Sequence, residues 1–452
     1  MHRRLVAMAA AVITALTLGA PAASAAPSQT KEAGFFYSRP LEINPSRPAP
    51  LKSPPDPRAR PKSMSLQEIQ RRTQENSYEV DAANPGSELS AAAAADPLAD
   101  CAKQKVSNPQ RGIVESHFLF CTKGNGEIVH QINKKITGGI HYHITVTGAG
   151  HNGKREINFQ IKVVDIVPYG DMTKLDIRLQ FYIYCGPMRS NDAGCKEGAS
   201  PTTMKRVSTW MHAPYDNLMK MTSPSNIGQG AEKVNFTRWQ LLVNSPEMVI
   251  ANDRPLIDQT ARFDSAAYIT GKMGAIFNQV TPHLLFSRAK RDGVPESANH
   301  MWQACHNTAA TIPTVKNKKI PGCNNNNPLH RLYHPQTKKI KVGRKTRILD
   351  RYKENRAMSV RTCEAKWPGY PSHGDDCDEF PFAATYEGSD APAWDPKAVP
   401  GNYSVWPVNL SDNRRAGAKL GGWFTQDRIL DWSGKDPVSR TTWRDPFVIW
   451  VR

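Results

Sequence analysis

Between about residue 101 and residue 280, apolar side chains recur at every second position. The stretches HYHITVTG (141–148), REINFQIKVVDIV (155–167) and KLDIRLQFYIYCG (174–186) alternate in this way, and Gly, Asn and Asp punctuate them. A period of two predicts strands with one buried face, and several at short spacing predict an antiparallel sandwich or barrel. From about residue 281 the pattern becomes mixed. PESANHMWQACHN opens like a helix, with Glu296 in its first turn, and Asp350 to Met358 suits a second helix. In VNLSDNRRAGAKLGGWFTQDRIL, Ser411 or Asp412 can cap a helix that carries Leu420, Trp423, Phe424 and Ile429 at helical spacing. DPFVIWVR ends the pattern as a strand. The expected fold is an α+β C-terminal domain preceded by a mainly antiparallel, sandwich-like β domain.

The N-terminal side lacks periodicity. Residues 27 to about 95 are dominated by Pro, Ser, Ala and Arg, as in SRPAPLKSPPDPRARPKS, and bury too little apolar surface to offset the entropy of ordering. Residues 26–95 are therefore expected to be a disordered linker or propeptide, interrupted by a helical patch at SLQEIQRRTQENS and a second Ala-rich one before Cys101. Residues 1–25 have the three parts of a secretory signal: Arg3 and Arg4, an apolar run from Leu5 to Gly19, and the small-residue site Ala23-Ser24-Ala25. No other segment approaches bilayer-spanning length, so no membrane insertion is expected. The division is thus 1–25, 26–95, a β-rich domain of unknown role over 96–280, and a C-terminal domain over 281–452.

Export to an oxidising compartment makes the eight cysteines disulfide partners rather than metal ligands, and no CxxC spacing suggests zinc. Their order favours Cys101–Cys121, Cys185–Cys195, Cys305–Cys323 and Cys363–Cys377, although eight cysteines allow 105 connectivities. The formal charge of +18, from 59 Lys and Arg against 41 Asp and Glu, suits a polyanion such as nucleic acid, teichoic acid or anionic lipid. Residues 337–347, TKKIKVGRKTR, concentrate Lys338, Lys339, Lys341, Arg344, Lys345 and Arg347, which could track a phosphate backbone or form a solvated basic loop. His141 and His143 share a strand face but lack a third ligand, so they are taken as solvent-face residues.

Within the basic C-terminal region, Asp375, Asp376, Asp378 and Glu379 form a local acidic cluster in CDEFPFAATYEG. The apolar PFAATYEG places Asp378 on or beside a strand. Some 35 residues later, Asn413 lies near a helix start that favours anions. A carboxylate strand followed by an Asn- and Arg-bearing helix suits metal-assisted phosphodiester cleavage. That chemistry requires a base for water, a hard cation on oxygen ligands, and an Arg for phosphate. His373, five residues before Asp378, is an alternative base.

CDEFPFAATYEG, SDNRRAGAKLGGWF and DPFVIWV, with HLLFSRAKRDGVPESANHMWQA upstream, resemble the NucA/NucB family of secreted bacterial deoxyribonucleases over roughly residues 281–452. His300 matches that family's helix histidine and Asn355-Arg356 its mid-domain pair. The resemblance implies a ββα-metal type nuclease site that cuts DNA with little sequence preference, using Mg²⁺ or Mn²⁺. It makes Asp378 the general base, Asn413 the principal metal ligand and Arg414 a phosphate contact. Glu379 and Glu387 match family positions, with orienting the site or binding metal as their alternatives. Residues 323–348, with His330 and His334, look like an insertion. The expected protein is a secreted, metal-dependent endonuclease acting on DNA, with RNA as a further substrate and cell-wall contact through the β-rich domain left open. Its rivals are a non-catalytic polyanion or cell-wall binder and a nuclease toxin against competing cells.

Overall fold

Phe35–Glu42 (β1, FFYSRPLE) points Tyr37 and Leu41 inward as a strand should. The computed structural model describes residues 34–56, 64, 66–83, 97–187, 194–199, 204–212, 215–252, 254–432, 434–435 and 442–452. The signal segment expected over 1–25 and most of the Ala-rich stretch before Cys101 lie outside them. Within 26–95 the helical patch expected at SLQEIQRRTQENS is present as a helix over Leu66–Glu75, whereas strands at 35–42 and 77–81 depart from the expectation of a linker. β1 pairs antiparallel with a long strand of the β-rich region, Phe36 opposite His130. Leu66–Glu75 (α1) buries Ile69 against Val234, Ile269, Leu430 and Trp432. Ser77–Asp81 (β2) joins the C-terminal sheet. Each short element gains its stability from partners far along the chain, which local composition does not register.

The β-rich region is built on β3 (Leu119–Ile132), β4 (Lys135–Asn152), β5 (Glu156–Gly170), β6 (Arg178–Pro187), β7 (Asn235–Asn244), β8 (Ile257–Asp264) and β9 (Gly274–Ile276). They belong to a 13-stranded sheet among the described residues, antiparallel in nearly all its pairings. β4 pairs with β3 and β5 along its length and with β9 at its end. The sheet therefore folds over, and its two limbs face each other through aromatic contacts: Trp239 lies 5.0 Å from Phe120 and 4.7 Å from Phe159, ring to ring. Each of these buried aromatics contributes about 1.5–3 kcal/mol. His141 and His143 point outward, His141 stacked on Tyr169 and His143 bonded to Asn125.

The C-terminal region contains β10 (Thr281–Phe286), α2 (Pro295–His306), β11 (Thr337–Val342), β12 (Lys345–Asp350), α3 (Arg351–Lys366), β13 (Asp375–Phe380), β14 (Ser404–Asn409), α4 (Leu410–Gln426) and β15 (Pro446–Val451). β2, β10 and β15 form parallel neighbours in a four-stranded sheet. β13 and β14 form a separate two-stranded hairpin that runs directly into α4. The sulfurs pair as the cysteine order favours: 101 with 121, 185 with 195, 305 with 323, and 363 with 377. No helix among the described residues is long and apolar enough to cross a membrane.

Residue 280 is not a packing boundary. A single hydrophobic cluster runs from Leu41, Ile144 and Trp239 to Leu284, Phe380, Trp423 and Phe447. Buried charges also cross the joint. Arg428 is bonded to Asp264, Arg262 to Asp445, and the Arg262 Nη2 donates to the Arg428 carbonyl at 2.8 Å. Asp427 receives the Tyr78 hydroxyl at 2.6 Å, and its carbonyl lies 2.7 Å from His117 Nδ1. The two regions form one packed body.

Candidate active site

Strand alternation sorts the CDEFPF residues onto two faces. Cys377 and Glu379 turn toward α3, where Cys377 is bridged to Cys363 and Glu379 is bonded to Arg356. Asp378 and Phe380 turn the other way. Phe380 is fully buried and meets Phe382 edge-on, which seats the strand on the core. The turn that follows is held by Asn355 of α3, whose Nδ2 donates to the Ala383 and Thr385 carbonyls at 3.1 Å. A Cβ at Gly388 would stand 2.2 Å from that nitrogen, so the motif ends in a residue without a side chain.

Asp378 is 4% exposed. Its Oδ2 lies 2.9 Å from His300 Nδ1, and His300 Nε2 lies 2.7 Å from Ser404 Oγ. A carboxylate only accepts, so Nδ1 donates to Asp378, and Nε2 shares a hydrogen bond with the serine hydroxyl. His300 and Ser404, themselves buried, thus fix Asp378 from α2 and β14 and leave its Oδ1 without a protein partner among the described residues.

Asp376 lies at the rim of the hairpin. Its Oδ1 accepts from Arg356 Nη2 at 2.5 Å and its Oδ2 from Asn413 Nδ2 at 2.9 Å. Arg356 also reaches Glu379 and the Cys377 carbonyl, so one guanidinium from α3 ties three groups of β13 together. Burial pushes the Glu379 carboxyl up, to about 7. Arg356 opposes that rise and the Asp378 charge adds to it.

The helix cap differs from the one expected. Asn409 caps α4 by accepting from Ser411 N at 3.0 Å. Asp412 instead crosses to α2 and accepts from the backbone N–H groups of Glu296 and Ser297, while Glu296 accepts from Asn409 N at 2.7 Å. The two helices cap each other, and this fixes Asn413 against Asp376. Arg414 is exposed and makes no hydrogen bond or ion pair among the described residues.

The remaining candidates lie elsewhere. Glu387 accepts from His330 N at 2.9 Å and lies 2.8 Å from His330 Nδ1, and no contact joins it to Asn413. His334 pairs with Glu232 of the β-rich region at 2.6 Å. His373 sits exposed in a short 3₁₀ turn. The basic residues of 338–347 lie on the β11–β12 hairpin, away from the acidic cluster along the chain but joined to α3. Asp376, Arg356, His300 and Ser404 complete the cluster. Of these, Ser404 carried no signal in the sequence, because only the Phe380–Ser404 register brings it to His300.

Among the described residues no three or more His, Cys, Asp or Glu side chains are grouped as a metal cage. Asp376, Asp378 and the Asn413 Oδ1 are nonetheless hard oxygen donors. Mg²⁺ and Mn²⁺ sites often use one or two carboxylates and leave the other positions to water and phosphate, so the sparse donor set fits such an ion.

The cluster thus holds a buried carboxylate bonded to a histidine, two residues from an Asp bonded to an Asn at a helix start, followed in sequence by an exposed arginine. Residues 317–432 match the family model described as deoxyribonuclease NucA/NucB, the family that the C-terminal motifs resemble. The C-terminal region is accordingly of nuclease type, with DNA as the substrate of that family. The match includes α3, the β13–β14 hairpin and α4, and begins after the strand and helix at 281–306. No curated protein and no solved structure gives a significant match.

Proposed function

We propose that the chain is an exported, divalent-metal-dependent endonuclease that hydrolyses DNA with little sequence specificity. The observation that supports this reading is the joint of β13 and α4 within the matched region, where Asn413 bonds Asp376 two residues from the His300-held Asp378, with Arg414 next to Asn413 in the chain. Asp378 Oδ1 accepts the proton of the attacking water, and His300 and Ser404 keep the carboxylate aimed. Asn413 Oδ1 and Asp376 would hold Mg²⁺ or Mn²⁺. The bound ion supplies positive charge against the phosphate and the departing oxygen. Arg414 binds the phosphate, and Glu379 acts through Arg356 by orienting Asp376. Glu387, held by His330, stands apart from this set. Four disulfides support a life in an oxidising, extracellular compartment.

The test is plasmid nicking by the purified full chain with Mg²⁺ or Mn²⁺ and with chelator. Nicking is expected with metal and absent with chelator, and Asp378→Asn or Asn413→Ala should reduce it by about 10²- to 10⁴-fold. Nicking that survives both substitutions, or none from the native chain with either metal, would refute the reading.

A further inference from the structure

β11 and β12 form a free-standing ribbon. They pair only with each other, from Thr337 opposite Asp350 to Val342 opposite Lys345, and Gly343 turns the chain at φ +59°. Six residues per strand give a ribbon about 20 Å long. The base is anchored. Lys338 lies over the Trp394 ring at 4.4 Å, and Asp350 caps α3 by accepting from Lys353 N. Beyond the base the ribbon is exposed, and Val342 and Ile348 keep 57% and 63% of their surface in solvent.

The register assigns its faces. Lys338, Ile340, Val342, Arg347 and Leu349 share the face that leans on Trp394 and, through Arg347, on Glu354. Lys339, Lys341, Thr346 and Ile348 share the opposite face, and all four are exposed. Lys339, Lys341, Arg344 and Lys345 make no hydrogen bond or ion pair among the described residues. Lysines alone would be sufficiently explained as guards against edge-to-edge pairing. Ile348 stands bare among Lys339, Lys341 and Thr346, so one face of the ribbon offers cationic, hydrogen-bonding and apolar groups together to the solvent.

We propose that this ribbon enters the major groove of double-stranded DNA and thereby selects B-form duplex for the neighbouring site. The inference rests on the nuclease reading for its choice of nucleic acid. The B-form major groove, about 12 Å wide, admits a two-stranded ribbon. In such a groove the lysines meet phosphates, Thr346 can bond to a base edge, and Ile348 can contact thymine methyl groups. Asp350 lies six residues before Arg356 on α3, about 9 Å along the helix. The ribbon tip is then within about 30 Å of the acidic cluster, less than one duplex turn.

The comparison substrate is A-form RNA duplex, which has similar charge but a major groove too narrow for side chains. Binding is measured with full-length Asp378→Asn protein in metal-free buffer, on a 30-base-pair DNA duplex and the RNA duplex of the same sequence. DNA duplex should bind about ten-fold tighter. Lys339→Ser/Lys341→Ser/Ile348→Ser should abolish that preference and flatten the salt dependence on DNA by about two. These side chains are exposed, so circular dichroism and Tm should match the parent. Equal affinity of the parent for both duplexes, or equal losses on both in the triple variant, would overturn the proposal. A chain that shows the preference but never nicks DNA supports the ribbon and fails the hydrolytic reading.

Discussion

Asp264→Ala tests whether the β-rich and nuclease-type regions are one cooperative body. Asp264 and Arg428 are each fully buried, and the carboxylate receives Arg428 through both Nε and Nη2 while also facing Arg262 Nη2 at 3.3 Å. Removing it leaves two buried guanidiniums with only Asp445 and neutral acceptors between them. Breaking a buried pair from one side costs about 3–5 kcal/mol, a large share of a typical total stability of about 5–15 kcal/mol. Urea unfolding followed by tryptophan fluorescence reads both regions, since Trp239 lies in one and Trp423 in the other. A single transition, shifted to lower urea by this amount, is expected. Arg428→Met in the same background should add much less than it does alone, because its partner is already gone. A cost below about 1 kcal/mol, or two separate transitions of which only one moves, would refute the reasoning.

Other expectations concern the site and its supports. Ser404→Ala should lower kcat by about 10- to 100-fold with KM changed less than two-fold, and Ser404→Thr should restore most of the loss. An equal fall in Ser404→Thr and Ser404→Ala would count against a positioning role. Burial, aided by the nearby Arg262 charge, holds the His117 imidazole down at about 4. A folded value below the unfolded one gives stability that is full above about pH 6.5 and is lost as pH falls toward 4, by about 3 kcal/mol. His117→Gln should remove that difference between pH 7 and pH 4.5, as measured by urea unfolding at each pH. Cys363→Ser/Cys377→Ser opens a loop of sequence separation 14 and should cost about 3 kcal/mol. It should also weaken nicking, because β13 loses its covalent tie to α3.

The alternating strands were legible in the sequence because each shows one face to the core and one to water, as Ile157, Phe159, Ile161 and Val163 show. Leu420, Trp423 and Phe424 were legible for the same reason at helical period, and the disulfides from neighbour order. β1 and β2 were not, because FFYSRPLE and SYEVD are short strands whose partners lie roughly 90 and 200 residues away. The β11–β12 ribbon was hidden by its own lysines, which read as a charge run although Val342-Gly343 marks the turn. At the site, Asp378 and Asn413 stood out by motif. Their supports, His300 from α2 and Ser404 from β14, come together only through tertiary pairing.

The place of β15 in the sheet sets a timetable for the nuclease region. Phe447 is fully buried and packs edge-on against Trp423 and Phe424 of α4, the helix that carries Asn413, and Asp445 neutralises Arg262. A nascent chain halted at residue 440 has already made every group of the acidic cluster. It nevertheless lacks the strand on which α4 rests and the carboxylate that balances a buried arginine. Synthesis therefore reaches the acidic cluster before it reaches the strand that α4 packs on. A chain that lacks residues 445–451 therefore leaves Trp423 and Phe424 without their edge-on partner and Arg262 without Asp445.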